Sequence, residues 1–174
     1  MTTTRSDIIA SSERVFDRKG FAATGMDTLT EAAHVSSRTL YKHLGSKSEL
    51  AVAVLETRME RFFDSCTAAS IDDLFTGLET WIRAEGARGC LFLRAQGETD
   101  SPDSGISTVV SEYRRRLREL IGHLVENVLG RADEALTNEM LIVFEGATSA
   151  ASYLGTGAVT AARGAASALL DRAR

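Results

Sequence analysis

A short run between Ser36 and Lys47 carries side chains suited to binding a polyanion. It holds three basic residues, one tyrosine, one histidine and no carboxylate, although the 174-residue chain has a net charge of -4. Arginine and lysine can donate to guanine edges or to phosphates, and hydroxyl groups can contact either. A carboxylate on such a surface would repel the phosphate backbone. The residue types of this run therefore favour contact with a nucleic acid.

The run falls on the second of two short predicted helices. Ser36 or Ser37 can cap this helix, and Gly45 can end it. Leu40 and Leu44 fall on its inward face at helical spacing. A longer helix comes first in the chain, and a turn of three or four residues separates the two short ones. This order is typical of a helix-turn-helix head, whose second short helix enters the major groove of DNA.

Eight side chains of this region are the predicted DNA contacts. Arg38 and Lys42 can donate to guanine edges or phosphates, and the Thr39 methyl can meet thymine. Tyr41 and His43 are better suited to phosphates. From spacing alone, a solvated helix face explains the pattern equally well. The full set is Ser36, Ser37, Arg38, Thr39, Tyr41, Lys42, His43 and Lys47.

Lys47 has an unusual position for a cation. It falls in the first turn of a fourth predicted helix, which the S-x-x-E sequence of residues 46–49 opens as a capping box. A positive charge there opposes the helix dipole. A phosphate held by the ammonium and by the free backbone N–H groups would explain the sign of this charge.

Residues 20–55 read GFAATGMDTLTEAAHVSSRTLYKHLGSKSELAVAVL and resemble the DNA-binding head of the TetR family of bacterial regulators. The resemblance covers about residues 5–60. The positions that match the family pattern are Gly20, Phe21, Thr24, Leu29, Val35, Ser36, Thr39, Leu40, Tyr41, His43, Ser46, Lys47 and Leu50.

Four positions depart from the family pattern: Gly25, Thr30, His34 and Leu44. His34 replaces the usual turn glycine, so an imidazole falls where a left-handed backbone is expected, at some energetic cost. Leu44 replaces an aromatic side chain and fills less of the core. We expect these departures to affect the stability of the head and to leave its DNA contacts in place.

The resemblance implies a DNA-binding domain over residues 1–48 and an effector-binding and dimerisation domain over residues 49–174. It also implies a homodimer that binds a near-palindromic operator, most often as a repressor, and that a small-molecule effector releases. Only a ligand that binds one state better than the other can shift such an equilibrium.

The remainder of the chain reads as helices. We expect the fourth helix to continue to about residue 68, with further helices at about 71–86, 90–96, 106–129, 133–154 and 157–172. Residues 97–105 form the clear loop and contain the only proline. The predicted fold is therefore all-α, with about nine helices arranged as a three-helix head and a larger helical body.

The last two predicted helices are the dimerisation candidates. Their apolar and small side chains recur at helical spacing and allow close approach of helices, and this family usually dimerises there. An intramolecular core pair is the alternative interpretation. The predicted dimer contacts are Met140, Val143, Ala147, Ala151, Leu154, Ala162, Ala166 and Leu169.

The ligand candidates are large, mostly aromatic side chains that are expected to point into the body. Small-molecule pockets are mostly apolar with a few polar anchors, which favours Trp81 and Tyr113. Each of these rings can equally be ordinary core. The full set is Phe62, Phe63, Trp81, Phe92, Tyr113 and Phe144.

Other function classes find little support in the sequence. No P-loop, G-x-G-x-x-G, G-x-S-x-G or C-x-x-C motif is present, and the three histidines are scattered, so no catalytic residue, metal or cofactor is predicted. A DNA-architectural protein without an effector would not need so large a helical body.

Cys90 can be an oxidation sensor, but a buried inert thiol is the default interpretation. The basic run Tyr113–Arg118 reads as a solvated face that nearby glutamates neutralise.

The distribution of charge and hydropathy indicates which part of the chain a polyanion can approach and where in the cell the protein is expected. Residues 1–60 hold eight basic and eight acidic side chains, so the negative charge belongs to the remainder. A polyanion is therefore repelled least by the N-terminal third. No apolar run is long enough for a signal peptide or a membrane helix. We expect a soluble cytoplasmic protein with reduced cysteines.

Overall fold

The computed structural model describes residues 4–98 and 105–174, and all the regular secondary structure within these ranges is α-helical. The all-α class is thereby confirmed. The predicted loop over residues 97–105 lies mostly outside the described residues. In chain order the helices are α1 (Arg5–Lys19), α2 (Met26–Ala33), α3 (Ser37–Leu44), α4 (Lys47–Ser65), α5 (Ile71–Glu85), α6 (Leu91–Gly97), α7 (Gly105–Leu129), α8 (Glu134–Leu154) and α9 (Gly157–Ala173).

The described residues form two compact units. The first lies within Met1–Arg61 and Leu91–Glu112, and the second within Phe62–Cys90 and Tyr113–Arg174. Helices α4 and α7 contribute residues to both units, and α6 belongs to the first. The predicted functional boundary between residues 48 and 49 stays a prediction.

In the first unit, local hydrogen bonds fix the ends of α1. The Thr4 hydroxyl accepts from the Asp7 N–H at 3.3 Å, and the Asp7 carboxylate accepts from the Thr4 N–H at 2.8 Å, which completes a capping box. At the other end Gly20 has φ 84° and donates to the Phe16 carbonyl at 2.8 Å. The Phe16 ring stacks on Phe21 with centroids 4.5 Å apart, so the turn after α1 is held against the core.

A buried ionic cluster joins α1 to α4 within this unit. The Glu13 carboxylate accepts from Arg58 Nη1 at 2.6 Å and from Arg61 Nη2 at 2.6 Å. Glu13 is 7% exposed and Arg58 6% exposed. Charges are costly to bury without partners, and here the two arginines of α4 supply the partners of the buried Glu13 carboxylate of α1.

The second unit is built around contacts among α5, α8 and α9. Its centre is apolar, with Leu74, Phe75, Leu78 and Phe144 all at most 2% exposed. Asp133 caps α8 by accepting from the Leu136 N–H at 3.0 Å. Within residues 4–98 and 105–174, no helix is both long and apolar enough to cross a membrane.

Candidate nucleic-acid interface

Helix α3 is held by caps at both ends. The Ser36 hydroxyl accepts from the Thr39 N–H at 3.2 Å, and the two hydroxyls lie 2.9 Å apart in a further hydrogen bond. Gly45 donates its N–H to the Tyr41 carbonyl at 2.9 Å. Of the two serines predicted as possible caps of α3, Ser36 is therefore the one that caps it.

The burial of α3 confirms which of its faces points inward. Leu40 is fully buried and Leu44 is 5% exposed, while Tyr41 is 52% exposed despite its large ring. Of the eight predicted contacts, six are exposed and two, Thr39 and Lys47, are half-buried. The outward face offers guanidinium, ammonium, hydroxyl and imidazole groups, and contact of these groups with DNA stays a prediction. The exposed six are Ser36, Ser37, Arg38, Tyr41, Lys42 and His43.

The turn between α2 and α3 confirms the expected conformation of His34. Its φ is 54° and its ψ 40°, and it is the single non-glycine residue with positive φ among those described. The His34 N–H donates to the Glu31 carbonyl at 3.1 Å, and the Val35 N–H donates to the Thr30 carbonyl at 3.1 Å. These bonds close α2 and set the direction in which α3 leaves the turn.

The start of α4 is a complete capping box, as the sequence indicated. The Glu49 N–H donates to Ser46 Oγ at 3.1 Å, and the Ser46 N–H donates to Glu49 Oε2 at 2.7 Å. The bond from the Ser46 backbone, followed by the one from its hydroxyl, lowers the pKa of the Glu49 carboxyl. Any side chain at Gly45 would collide with this carboxylate, and φ at Gly45 is 63°.

Lys47 has a protein contact that the sequence did not reveal. Its Nζ donates to the Ala22 carbonyl at 3.4 Å, across 25 residues of sequence. Ala22 lies in the turn between α1 and α2, so no local pattern indicates this pair. The side chain is half-buried, and a phosphate contact at this position stays a prediction.

The second unit brings five of the six ligand candidates together. Phe62 is central, with its ring centroid 5.1 Å from Phe63, 5.2 Å from Trp81, 6.1 Å from Tyr113 and 6.3 Å from Phe144. We call these five residues the aromatic cluster. The sixth candidate, Phe92, is buried in the first unit.

Sequence reasoning missed one member of this neighbourhood, Arg116. Its guanidinium carbon lies 4.2 Å from the centroid of the Phe63 ring. Arg116 is three residues after Tyr113 in α7, a spacing that places both on one side of a helix. This spacing could have indicated from the sequence that Arg116 lies near Tyr113. Arg116 belongs to the basic run, however, and the whole run was interpreted as a solvated face.

The eight dimer candidates divide by burial. Five are buried within the single chain: Met140, Ala147, Ala151, Ala162 and Ala166. Val143 and Leu169 are half-buried, and Leu154 is 55% exposed. Ile142 and Tyr153, which the predicted set omits, are 70% and 77% exposed. The contribution of the eight residues to a dimer stays a prediction.

Two arginines of the basic run in α7 form ion pairs with glutamates. Arg115 pairs with Glu119 at 2.6 Å, and Arg118 pairs with Glu134 at 2.8 Å. These pairs agree with the interpretation of this run as a solvated face.

Both cysteines are free thiols. Burial raises the pKa of the Cys66 thiol, which disfavours its reactive thiolate. Cys90 is 7% exposed and makes contacts inside the fold. The described residues contain no group of three or more His, Cys, Asp or Glu side chains placed to hold a metal ion.

Comparison with known protein families decides the identity of this head. Residues 8–54 match the model of the bacterial regulatory proteins of the tetR family. This head belongs to the TetR family. This family consists of transcriptional regulators rather than enzymes. The match covers most of α1, all of α2 and α3 and the start of α4, and therefore includes all eight predicted DNA contacts.

Similarity to curated relatives extends beyond the head. It is 33% identical over 123 residues to the probable HTH-type transcriptional regulator ArpR of Pseudomonas putida, over 71% of this chain and 51% of that protein. It is 38% identical over 56 residues to the HTH-type transcriptional activator FasR of Mycolicibacterium smegmatis, over 32% of this chain and 26% of that protein. The chain thus spans about half or less of the length of these relatives.

A solved structure shows that the fold likeness continues past the head. A TetR-family transcriptional regulator from Streptomyces coelicolor superposes with a TM-score of 0.89 at 21% identity, covering 97% of this chain and 94% of that one. At this identity the likeness concerns the fold alone. The helices after the head therefore share the fold of that protein.

Proposed function

We propose that this TetR-family protein is a cytoplasmic repressor that binds a near-palindromic operator as a homodimer and is released by a small-molecule effector. The observation that carries the proposal is the outward face of α3. This face is exposed and free of carboxylates, and two buried leucines orient it. It also lies within the residues that match the family model.

The roles of the individual side chains follow from their chemistry. Arg38 is near the start of α3, where residues of a recognition helix meet base edges, and its fork suits the O6 and N7 atoms of guanine. Lys42 can donate to bases or phosphates. Tyr41 and His43 supply phosphate contacts that set the register of the helix in the groove.

The surface of α8 and α9 supports dimerisation. Between residues 140 and 170 the chain has only two charged side chains, Glu145 and Arg163. Ile142 and Tyr153 are exposed and eleven residues apart (153 - 142), which is about three helical turns and places them on one face. Exposed apolar side chains on one face mark a site of association. In such a dimer the two α3 helices would reach half-sites about 34–36 Å apart, or a multiple of this.

The aromatic cluster is the proposed effector site. Rings with polar tips on Trp81 and Tyr113, beside the Arg116 guanidinium, offer apolar contact and a few directional groups, which is the usual composition of a ligand pocket. The effector would release DNA by binding better to a dimer whose head spacing no longer fits the operator. Phe92 would contribute only indirectly, since it belongs to the first unit.

Activation of transcription is the second candidate, because the relative FasR is named as a transcriptional activator. Repression is the usual mode of this family, and we retain it. A reporter gene placed behind the operator separates the two. Deletion of the regulator should raise expression if it represses and lower expression if it activates.

The decisive experiment is DNA binding by variants of the head. An operator is first selected by the purified protein from a pool of random-sequence duplexes, and affinity is then measured by fluorescence anisotropy at several salt concentrations. Lys47→Ala should weaken binding to all sequences and reduce the slope of log affinity against log salt by about one, as expected for one lost phosphate contact. Arg38→Ala should relax specificity at one operator position, with a loss of about 1–3 kcal/mol of discrimination.

The matched control is Arg115→Ala, which removes an exposed arginine from the second unit and should change neither quantity. A sequence-selective loss in Lys47→Ala, with an unchanged salt slope, would contradict the phosphate role. Failure of the unaltered protein to enrich any duplex would overturn the proposed function.

A further inference from the structure

Helix α6 reaches the head through Arg94. Its Nη1 donates to the Asp17 carbonyl at 3.0 Å and to Asp17 Oδ1 at 3.3 Å, and its Nη2 lies 3.4 Å from the Phe16 carbonyl. These carbonyls belong to the last turn of α1, where a cation is favourable, and the Phe16 carbonyl also accepts from the Gly20 N–H. The Asp17 side chain is 10% exposed and that of Arg94 28%, so water screens the pair only partly.

Glu98, directly after α6, makes a second contact with the same region. Its Oε2 accepts from the Ala22 N–H at 2.7 Å. Its carboxylate also lies over Gly20, where an added Cβ would come 2.9 Å from Oε2. The positive φ of Gly20 favours glycine at this position.

Ala22 is held on its other side by Lys47. The Ala22 carbonyl accepts from Lys47 Nζ at 3.4 Å, while its N–H donates to Glu98. The same residue therefore connects the end of α6 with the first turn of α4. Lys47 is also the predicted phosphate contact, so the position of the turn between α1 and α2 bears directly on the DNA-binding surface.

We propose that Arg94 and Glu98 are positioning residues that fix the turn between α1 and α2, and through it Lys47, for DNA binding. The proposal rests on the proposed function. The two residues are four apart, one helical turn, and so approach α1 and the following turn from one side. A movement of α6 that breaks both contacts would free the turn and weaken the hold on DNA.

The sign of the effect distinguishes positioning from simple electrostatics. Glu98 is an exposed carboxylate close to the DNA-binding head. If it acted only as a nearby negative charge, its removal would strengthen DNA binding. If it positions the turn, Glu98→Ala should weaken binding although a negative charge is lost. Glu98→Gln should restore most of the affinity, because its amide oxygen still accepts from the Ala22 N–H.

The first measurement is operator affinity by fluorescence anisotropy, well below the melting temperature of each variant, with the operator selected as above. Glu98→Ala and Arg94→Ala should each lose roughly three- to tenfold in affinity, the scale of one hydrogen bond. The salt slope should stay unchanged, because neither residue contacts phosphate, whereas Lys47→Ala lowers it. Glu119→Ala removes an exposed carboxylate in the second unit and is the matched control.

The second measurement is amide hydrogen exchange at Ala22 and needs no DNA. Glu98→Ala should speed exchange there, and Glu98→Gln should largely restore protection. Unchanged exchange in Glu98→Ala, or unchanged or tighter operator binding in that variant, overturns the proposal. If the unaltered protein binds no duplex, the proposed function fails, and exchange at Ala22 still decides whether Glu98 holds the turn.

Discussion

Removal of the Glu13 carboxylate should destabilise the head more than loss of any surface charge. Glu13 is 7% exposed and accepts from two guanidinium groups, each at 2.6 Å. Its partner Arg58 is 6% exposed, so Glu13→Ala leaves a buried cation without this carboxylate. Breaking a buried pair by deleting one partner typically costs about 3–5 kcal/mol. We expect about 3 kcal/mol, because the side chain of the other partner, Arg61, is 37% exposed and can turn to solvent.

Urea unfolding followed by circular dichroism at 222 nm measures this cost. With slopes of about 1–3 kcal/mol per molar urea, a loss of 3 kcal/mol lowers the midpoint by about 1–3 M. Protein concentration must be the same throughout, since dimerisation would add to the apparent stability. Glu119→Ala is the control, because its pair with Arg115 is more than half exposed and should contribute at most about 1 kcal/mol.

The comparison between the two variants tests the reasoning. If Glu13→Ala unfolds at the same urea concentration as Glu119→Ala, burial does not make the cluster strong, and its role in joining α1 to α4 is refuted. A slope that falls together with the midpoint would indicate instead that the head unfolds separately from the second unit.

Two further substitutions test the turn and the proposed dimer surface. His34→Gly should raise the free energy of unfolding by up to about 1 kcal/mol, because a left-handed backbone costs a side chain more than it costs glycine, and His34→Ala should show no gain. If His34→Gly is less stable than the unaltered protein, the left-handed backbone is not what costs stability at this turn. Ile142→Glu combined with Tyr153→Glu should produce monomers in sedimentation velocity, while the same charge on exposed Thr80 should not. A persistent dimer would exclude this face of α8.

The features that the sequence predicted correctly are those whose cause is local. The capping box at Ser46–Glu49 needs only four consecutive residues, and it is present. The left-handed conformation of His34 follows from the turn in which it lies. Leu40 and Leu44 are buried because the spacing of apolar residues fixes the inward face of a helix.

Contacts between residues far apart in the sequence could not be predicted from local patterns. Arg94 and Asp17 are 77 residues apart, and Glu98 and Ala22 are 76 apart, so neither pair follows from periodicity. Periodicity identifies an apolar face but not the helix that covers it. The small residues of α8 and α9 illustrate this limit. Ala147 and Ala162 are buried within one chain, whereas Ile142, outside the predicted set, is exposed.

The contact between Lys47 and Ala22 bears on how a cation at a helix start can serve DNA binding. An ammonium has three N–H donors, and the Ala22 carbonyl takes one of them at the long distance of 3.4 Å. The remaining donors can still reach a phosphate, and the protein contact limits the conformations that the side chain must give up on binding. The two roles of Lys47 are therefore compatible. They also predict that Glu98→Ala keeps the proposed phosphate contact but leaves the Lys47 side chain less well positioned before binding, so that affinity changes and the salt slope does not.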